Sequence, residues 1–92
     1  MAPYRIGEMY NEGEGVLKDP KKAFEWTKKA AEIGYVTAQY KLGGMYIKGK
    51  GTVKDLKQAA RWIKKASESK NLEVKEGAEE TWNKYELWNY AE

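Results

Sequence analysis

The chain has 92 residues, enough for one small domain, with 41% hydrophobic residues and neither cysteine nor histidine. The missing residue types exclude disulfide frameworks, thiolate zinc sites and hydrolases that depend on a histidine base. The net charge of +3 is unevenly spread, because residues 1–70 carry +7 and residues 71–92 carry −4.

A 36-residue repeat covers most of the chain. When residues 2–34 are aligned with residues 38–70 without a gap, 16 of 33 positions are identical. Average composition gives roughly two such matches. A fixed period of this length is typical of stacked helical repeats. We therefore expect an all-α solenoid over residues 1–92, made of two helix–turn–helix repeats, with residues 71–92 as a fifth, capping helix.

The first helix of each repeat is predicted from a stripe of apolar residues at positions i, i+4, i+7 and i+8, the spacing of one helix face. The stripe consists of Ala2, Ile6, Met9 and Tyr10 in repeat one, and of Ala38, Leu42, Met45 and Tyr46 in repeat two. Gly13 and Gly49 follow these stripes, and we expect them to end the helices in the left-handed backbone region.

The second helix of each repeat is predicted to begin after an aspartate. Asp19 and Asp55 are suitable N-caps, and Pro20 stands at the first helical position, where proline is favoured. The inward-facing stripe is predicted to contain Ala23, Trp26, Ala30 and Ile33 in repeat one, and Ala59, Trp62 and Ala66 in repeat two. We expect the two tryptophans to hold the core between the repeats.

The fifth helix is predicted to begin after Asn71, another N-cap residue. Its apolar positions near 3.6-residue spacing are Val74, Ala78, Trp82, Tyr85 and Trp88. We expect Trp82 and Tyr85 to seal the open end of the stack, and Trp88 and Tyr90 to remain available to a partner. The glutamates of this segment disfavour a membrane-surface helix, because anionic lipid repels them.

The repeat residues resemble the Sel-one-like repeat family, one of the tetratricopeptide-like α-solenoids. The pattern A-x-Y-x-[IL]-G-x-M-Y-x-x-G-x-G-x-x-K-D-x-K-x-A-x-x-W-x-K-K-A occurs twice within residues 2–70, with glycines, aspartate, alanines and tryptophan in register. The resemblance implies a right-handed superhelix of antiparallel helix pairs that acts as an adaptor or scaffold. The last 22 residues depart from the pattern.

The resemblance to tetratricopeptide-like solenoids also implies a concave groove lined by the first helices. It assigns the core positions of these helices to Ile6, Gly7, Tyr10, Leu42, Gly43 and Tyr46. It assigns the groove to Tyr4, Glu8, Asn11, Glu12, Thr37, Tyr40, Gly44, Ile47 and Lys48. Tyr4 and Tyr40 are either aromatic anchors for a ligand or packing residues against the neighbouring helix pair. Ile47 is the stronger candidate, because Asn11 takes its place in repeat one.

Two other features suggest ligands, and we interpret both as structural. Residues 44–52 nearly match the phosphate loop G-x-x-x-x-G-K-[ST], but that site needs a strand before the loop, and here a helix is predicted. The pairs Lys28–Lys29 and Lys64–Lys65 would form a basic stripe on the convex side, which we interpret as a solvated helix face. We therefore expect neither a cofactor nor a nucleic-acid partner.

The sequence thus predicts a non-catalytic interaction module that binds a protein or peptide in its groove. One alternative is an enzyme of the β-lactam or peptidoglycan type, as in cysteine-rich relatives, although no nucleophile–base set is visible. Another is self-assembly through open solenoid ends, because two repeats fall short of the usual three. No apolar run reaches the roughly 18 residues of a membrane span. The compartment is unknown, with the cytoplasm favoured for a full-length chain and export possible for a fragment.

Overall fold

The computed structural model describes residues 3–13 and 17–91, which form α-helices and one short 3-10 helix but no strand. The elements are α1 (Pro3–Glu12), α2 (Pro20–Glu32), α3 (Val36–Lys48), α4 (Leu56–Ser67), α5 (Leu72–Lys84) and the 3-10 helix Leu87–Asn89. Each helix packs against the next in chain order, and α3 also contacts α5. The expected all-α arrangement of sequentially packed helices is confirmed; Ala2 lies outside the described residues.

The predicted N-caps all form. The Asp19 carboxylate accepts a hydrogen bond from the Lys22 amide at 3.2 Å, and Asp55 accepts two, from the Lys57 and Gln58 amides at 3.1 Å each. Asn71 likewise accepts from two amides at the start of α5. Each cap satisfies amides that the first helical turn leaves without a partner, which stabilises a helix by about 1 kcal/mol.

The loops inside the repeats are tied back to the first helices. Gly13 and Gly49 adopt φ of 74° and 69°, the left-handed conformation expected of helix-ending glycines. Beyond them, the Asp19 amide donates to the Tyr10 carbonyl at 2.8 Å and the Asp55 amide to the Tyr46 carbonyl at 2.9 Å. The described ends of the two loops therefore match, and in both repeats the N-cap residue of the second helix is tied to the first helix.

The core lies between the helix pairs and is rich in alanine. Its buried members are Ala30, Ala31, Ala38, Leu42, Tyr46, Ile47, Ala59, Ala60, Trp62, Ile63, Ala66, Val74, Ala78 and Leu87. Small side chains allow close approach of the helix backbones. Gly43 shows how close this approach is, because a Cβ there would overlap the Ile63 side chain of α4.

Two predictions about α2 are wrong in detail. Trp26 is only half-buried, whereas its counterpart Trp62 is 9% exposed and belongs to the core. Ile33, predicted to continue the inward stripe, is 73% exposed, because α2 ends at Glu32 and Ile33 is its C-cap. The inward position near Gly7 is instead filled by Thr27, which is 3% exposed.

The segment after residue 70 begins as the first helix of a third repeat. The bounds of α5 are those of α3 moved by 36 residues, and the residues before the two helices, Tyr35 and Asn71, share φ of −75° and ψ of 106°. The predicted continuation of this helix toward Trp88 is wrong. The helix ends at Lys84, Glu86 adopts a φ of 50°, and the chain turns so that Leu87 is fully buried.

Candidate functional site

A pocket of about 440 Å³ is lined mainly by residues of α3 and α5, with single residues from α1 and α4. We call it the α3 pocket, since that helix supplies more of its lining than any other element. Its lining residues are Asn11, Tyr40, Lys41, Gly44, Met45, Ile47, Lys48, Lys50, Ile63, Glu80, Thr81, Lys84 and Tyr85. The pocket therefore includes residues from both repeats and from the C-terminal segment.

Five of the nine predicted groove residues line the α3 pocket and four do not. Those that line it are Asn11, Tyr40, Gly44, Ile47 and Lys48. Those outside its lining are Tyr4, Glu8, Glu12 and Thr37. The α5 residues of the lining were missed, although a second shift of 36 residues places Glu80 in the register of Gly44, and Lys84 in that of Lys48. The repeat therefore contained a signal that would have identified them.

Gly44 is an open position in the lining of the pocket. Apart from its chain neighbours and its own helix backbone, no atom lies within 4 Å of where its Cβ would be. The residues in the same register one repeat before and after are Glu8 and Glu80, so α3 lacks a side chain where its neighbours have a long one. The adjacent Gly43 differs, since it is buried against Ile63. The missing side chain of Gly44 therefore leaves open space at this position of the lining.

Tyr40 forms a wall of the pocket by packing on α5. A Cβ at Gly77 would stand 3.1 Å from both Cζ and Oη of Tyr40, so glycine at position 77 leaves space for the phenol ring. The ring is half-buried. Tyr40 therefore packs against the neighbouring helix, as one of the two sequence interpretations had it, and also lines the pocket.

Tyr4 takes a different environment from Tyr40. Its ring centroid lies 5.0 Å from that of Tyr35, and the Lys41 Nζ lies 5.5 Å from the same ring. Burial raises the pKa of the Tyr4 hydroxyl above its usual value, although the nearby Lys41 ammonium opposes this shift. These contacts give Tyr4 a packing role outside the α3 pocket.

Ile47 is not the exposed apolar anchor that its sequence position suggested. It is 6% exposed and belongs to the core, so it lines the pocket from below together with Met45 and Ile63. The isoleucine is explained by packing, because Ile63 of α4 extends the same apolar surface, whereas repeat one has Asn11 and Thr27 at these two positions.

The charge of the pocket is mainly positive. Lys41, Lys48, Lys50 and Lys84 line it, against one carboxylate, that of Glu80. Lys84 Nζ lies 5.5 Å from the centroid of the Tyr85 ring, so a cation and an aromatic face occur together at this side. At the α1 side, the Asn11 Oδ1 atom is buried and has no hydrogen-bond partner.

The motif that resembles a phosphate loop is used to end α3. The amides of Gly49 and Lys50 both point back to the Met45 carbonyl, and the Lys50 amide donates to it at 3.0 Å. A phosphate site needs such amides to point at the ligand. Here they cap the preceding helix, and that helix stands where a nucleotide-binding fold has a strand.

The convex lysine pairs are partly structural. Lys29 Nζ lies 4.5 Å from the Trp26 ring centroid, and in the next repeat Lys65 Nζ lies 5.4 Å from that of Trp62. One lysine of each pair therefore covers a tryptophan, a favourable cation–π contact. This arrangement agrees with a solvated, packed helix face.

The C-terminal aromatic residues divide differently from the expectation. Trp82 packs against the core, as predicted for a residue that closes the stack. Tyr85 is 36% exposed and lines the α3 pocket, so it is not a sealing residue, whereas Trp88 and Tyr90 are exposed.

No group of three or more potential metal-binding side chains comes together within residues 3–13 and 17–91. None of the helices there combines the length and apolar character that crossing a membrane requires.

Comparison with known proteins identifies the repeat. The family model of the Sel1 repeat matches residues 1–35 and again residues 36–71. Among solved structures, the crystal structure of a Sel1 repeat protein from Oxalobacter formigenes is similar, with 47% sequence identity and a TM-score of 0.74. The similarity covers 78% of this chain but 29% of that one. No curated protein gives a significant match.

Proposed function

This chain belongs to the Sel1 repeat family, and from that membership we propose that it is a non-catalytic adaptor or scaffold that binds a protein or peptide in its concave groove. Sel1 repeats are protein-interaction modules. The proposed contact region is the α3 pocket together with the predicted groove positions outside its lining, Tyr4, Glu8, Glu12 and Thr37.

The observation that supports the pocket as the binding site is Gly44. A glycine inside a helix costs about 1 kcal/mol relative to alanine. The packing around Gly44 does not require this cost, because its missing side chain would meet open space. A glycine is useful where another backbone approaches closely. A partner chain bound against α3 would explain the glycine at position 44, which the packing of the isolated fold does not.

The rest of the lining suits a peptide. The floor is apolar through Met45, Ile47 and Ile63, and tyrosine rings stand at the sides. Apolar anchors held between aromatic walls, with polar groups at the edge, are typical of peptide-binding grooves.

The test fills the pocket without disturbing the core. Peptides are selected from a displayed random library on the purified chain, and their affinities are measured for the wild type and for Gly44→Leu. We expect Gly44→Leu to lose at least about tenfold in affinity, since the leucine occupies the space of the ligand. The matched control is Glu25→Leu, which adds the same side chain on the exposed surface of α2.

Gly44→Leu is a cleaner probe than a polar substitution at Ile47, which would place a charge in the core and unfold the chain. Circular dichroism should show both leucine variants as helical as the wild type. If the selected peptides bind Gly44→Leu as tightly as the wild type, the α3 pocket is not the binding site.

A further inference from the structure

We infer that the segment bound in the α3 pocket is acidic: a peptide stretch that places side-chain carboxylates around one apolar side chain. This inference rests on the proposed function and names the chemistry of its partner. It starts from the lining of the pocket, in which four lysines face a single glutamate.

Two of the lysines lie on either side of Gly44 in the sequence of α3. Lys41 precedes Gly44 by three residues and Lys48 follows it by four, so all three lie along one face of α3, with a cation on each side of the gap. Lys84 stands in the register of Lys48 on the adjacent helix α5. These three lysines of the lining therefore come from two helices, and the Nζ of Lys41 lies 5.5 Å from the ring centroid of Tyr4, which is outside the lining.

The repeat pattern sets this charge only in part, because α3 alone has a cation in both lysine registers and no carboxylate in the register between them. In the register of Lys48, repeat one has Glu12 and α5 has Lys84, and the register of Lys41 has Arg5 before it and Gly77 after it. Positive charge is therefore concentrated on α3, the helix that lacks a side chain at Gly44. Cations gathered at a groove select a partner of opposite charge and speed its association.

A peptide fits these observations better than a nucleic acid does. The pocket has an apolar floor of Met45, Ile47 and Ile63, which suits an aliphatic side chain. All four of its cations are lysines, and the lining has no arginine, the residue most used for reading bases. A polyanionic backbone would gain charge contacts here but leave the apolar floor unused.

The experiment uses two synthetic peptides that differ only in charge. One alternates glutamate and serine around a central leucine, and the other has glutamine in place of every glutamate. Binding to the full chain is measured by fluorescence anisotropy at low and at physiological salt. We expect the acidic peptide to bind at least about tenfold more tightly, with affinity that falls as salt rises.

Reversing the charge of lysines in the α3 pocket tests whether they cause the preference for the acidic peptide. The variant Lys48→Glu with Lys84→Glu should abolish the preference for the acidic peptide. Its matched control, Lys28→Glu with Lys64→Glu, makes the same change in net charge on exposed positions of α2 and α4 and should keep the preference. Circular dichroism verifies that both double variants are folded.

Three outcomes would overturn the inference: equal binding of the two peptides, loss of the preference in the α2–α4 control, or equally tight binding of a single-stranded oligonucleotide of the same charge. The proposed function is tested separately. If library peptides require the open Gly44 but show no acidic bias, the groove function stands and the acidic partner is wrong. If Gly44→Leu affects no peptide at all, both fail.

Discussion

Gly43 and Gly44 are adjacent residues of α3 with opposite surroundings. A methyl group on Gly43 would overlap the fully buried Ile63 side chain, whereas one on Gly44 would enter the α3 pocket. We expect Gly44→Ala to raise the free energy of unfolding by up to about 1 kcal/mol, through the better helix propensity of alanine. Gly43→Ala gains the same propensity but overpacks the core, which typically costs about 1–3 kcal/mol.

Urea denaturation of the two single variants measures this difference directly. The expected order of stability is Gly44→Ala, wild type, Gly43→Ala. If Gly44→Ala proves to be the less stable of the two variants, the space above Gly44 is occupied by the protein itself and the pocket is not open.

Ionisation of the Tyr46 hydroxyl makes the free energy of unfolding depend on pH in the alkaline range. Burial raises the pKa of its hydroxyl above the usual value near 10, and the carboxylates of Asp55 and Glu32 raise it further. The folded state thus holds this proton more tightly than the unfolded state. The contribution of the protonated hydroxyl to the free energy of unfolding is fully present below a pH of about 10. It is lost as pH rises through the folded-state pKa.

Tyr46→Phe removes this group and should flatten the alkaline loss of stability. We expect the free energy of unfolding of the variant, relative to the wild type, to increase as pH rises above about 10. Urea titrations at neutral and alkaline pH provide the measurement, with the exposed Tyr90→Phe as control. An identical pH profile for Tyr46→Phe and the wild type would show that the hydroxyl is not desolvated.

At the scale of elements, the end of α5 decides how the stack is closed. The chain leaves the helix after Lys84 and returns toward α4 through the 3-10 helix, which contacts both α4 and α5. Leu87 is fully buried there, while the next residue, Trp88, is 49% exposed. The leucine therefore fixes the last turn of the chain, and the larger tryptophan contributes less.

We expect Leu87→Ala to lower the free energy of unfolding by about 2–5 kcal/mol, because it leaves a cavity between α4 and the last turn. Trp88→Ala should change it by well under half as much. Thermal melts followed by circular dichroism compare the two variants. A larger loss for Trp88→Ala would mean that the tryptophan closes the stack instead.

The starts of the capped helices could be predicted from the sequence, whereas the end of α5 could not, and the difference has a physical reason. A cap such as that of Asp55 or Asn71 depends on hydrogen bonds to amides two and three residues away, so nearby sequence specifies it. The end of α5 has no glycine to mark it, and its apolar spacing continues past Lys84. The chain stops being helical where Leu87 gains more by packing against α4.

At the scale of the whole molecule, position in the stack decides what an equivalent residue contributes. Trp26 and Trp62 have the same register and the same lysine contact, yet α4 packs against α3, α5 and the 3-10 helix, whereas α2 packs against α1 and α3. Trp62 is accordingly buried and Trp26 half-exposed.

Trp62→Ala should cost about 3–5 kcal/mol, enough to unfold a domain of this size, while Trp26→Ala should cost less and leave it folded. Urea denaturation at 25 °C, followed by circular dichroism at the helical band, distinguishes the two variants. Similar losses from both would show that the two repeats are energetically equivalent and that the extra packing around α4 is unimportant.

The sequence by itself determined the repeat, the order of the helices and the N-caps of α2, α4 and α5, because periodicity and capping act over a few residues. The resemblance to tetratricopeptide-like grooves supplied five of the residues that line the α3 pocket. Only the tertiary structure decided that Ile47 is buried, that Trp26 and Ile33 are not, and that α5 supplies one side of the pocket. These properties depend on which helices lie next to each other. The burial of a side chain therefore changes with the number of helices packed around it, even where the repeat in the sequence is the same.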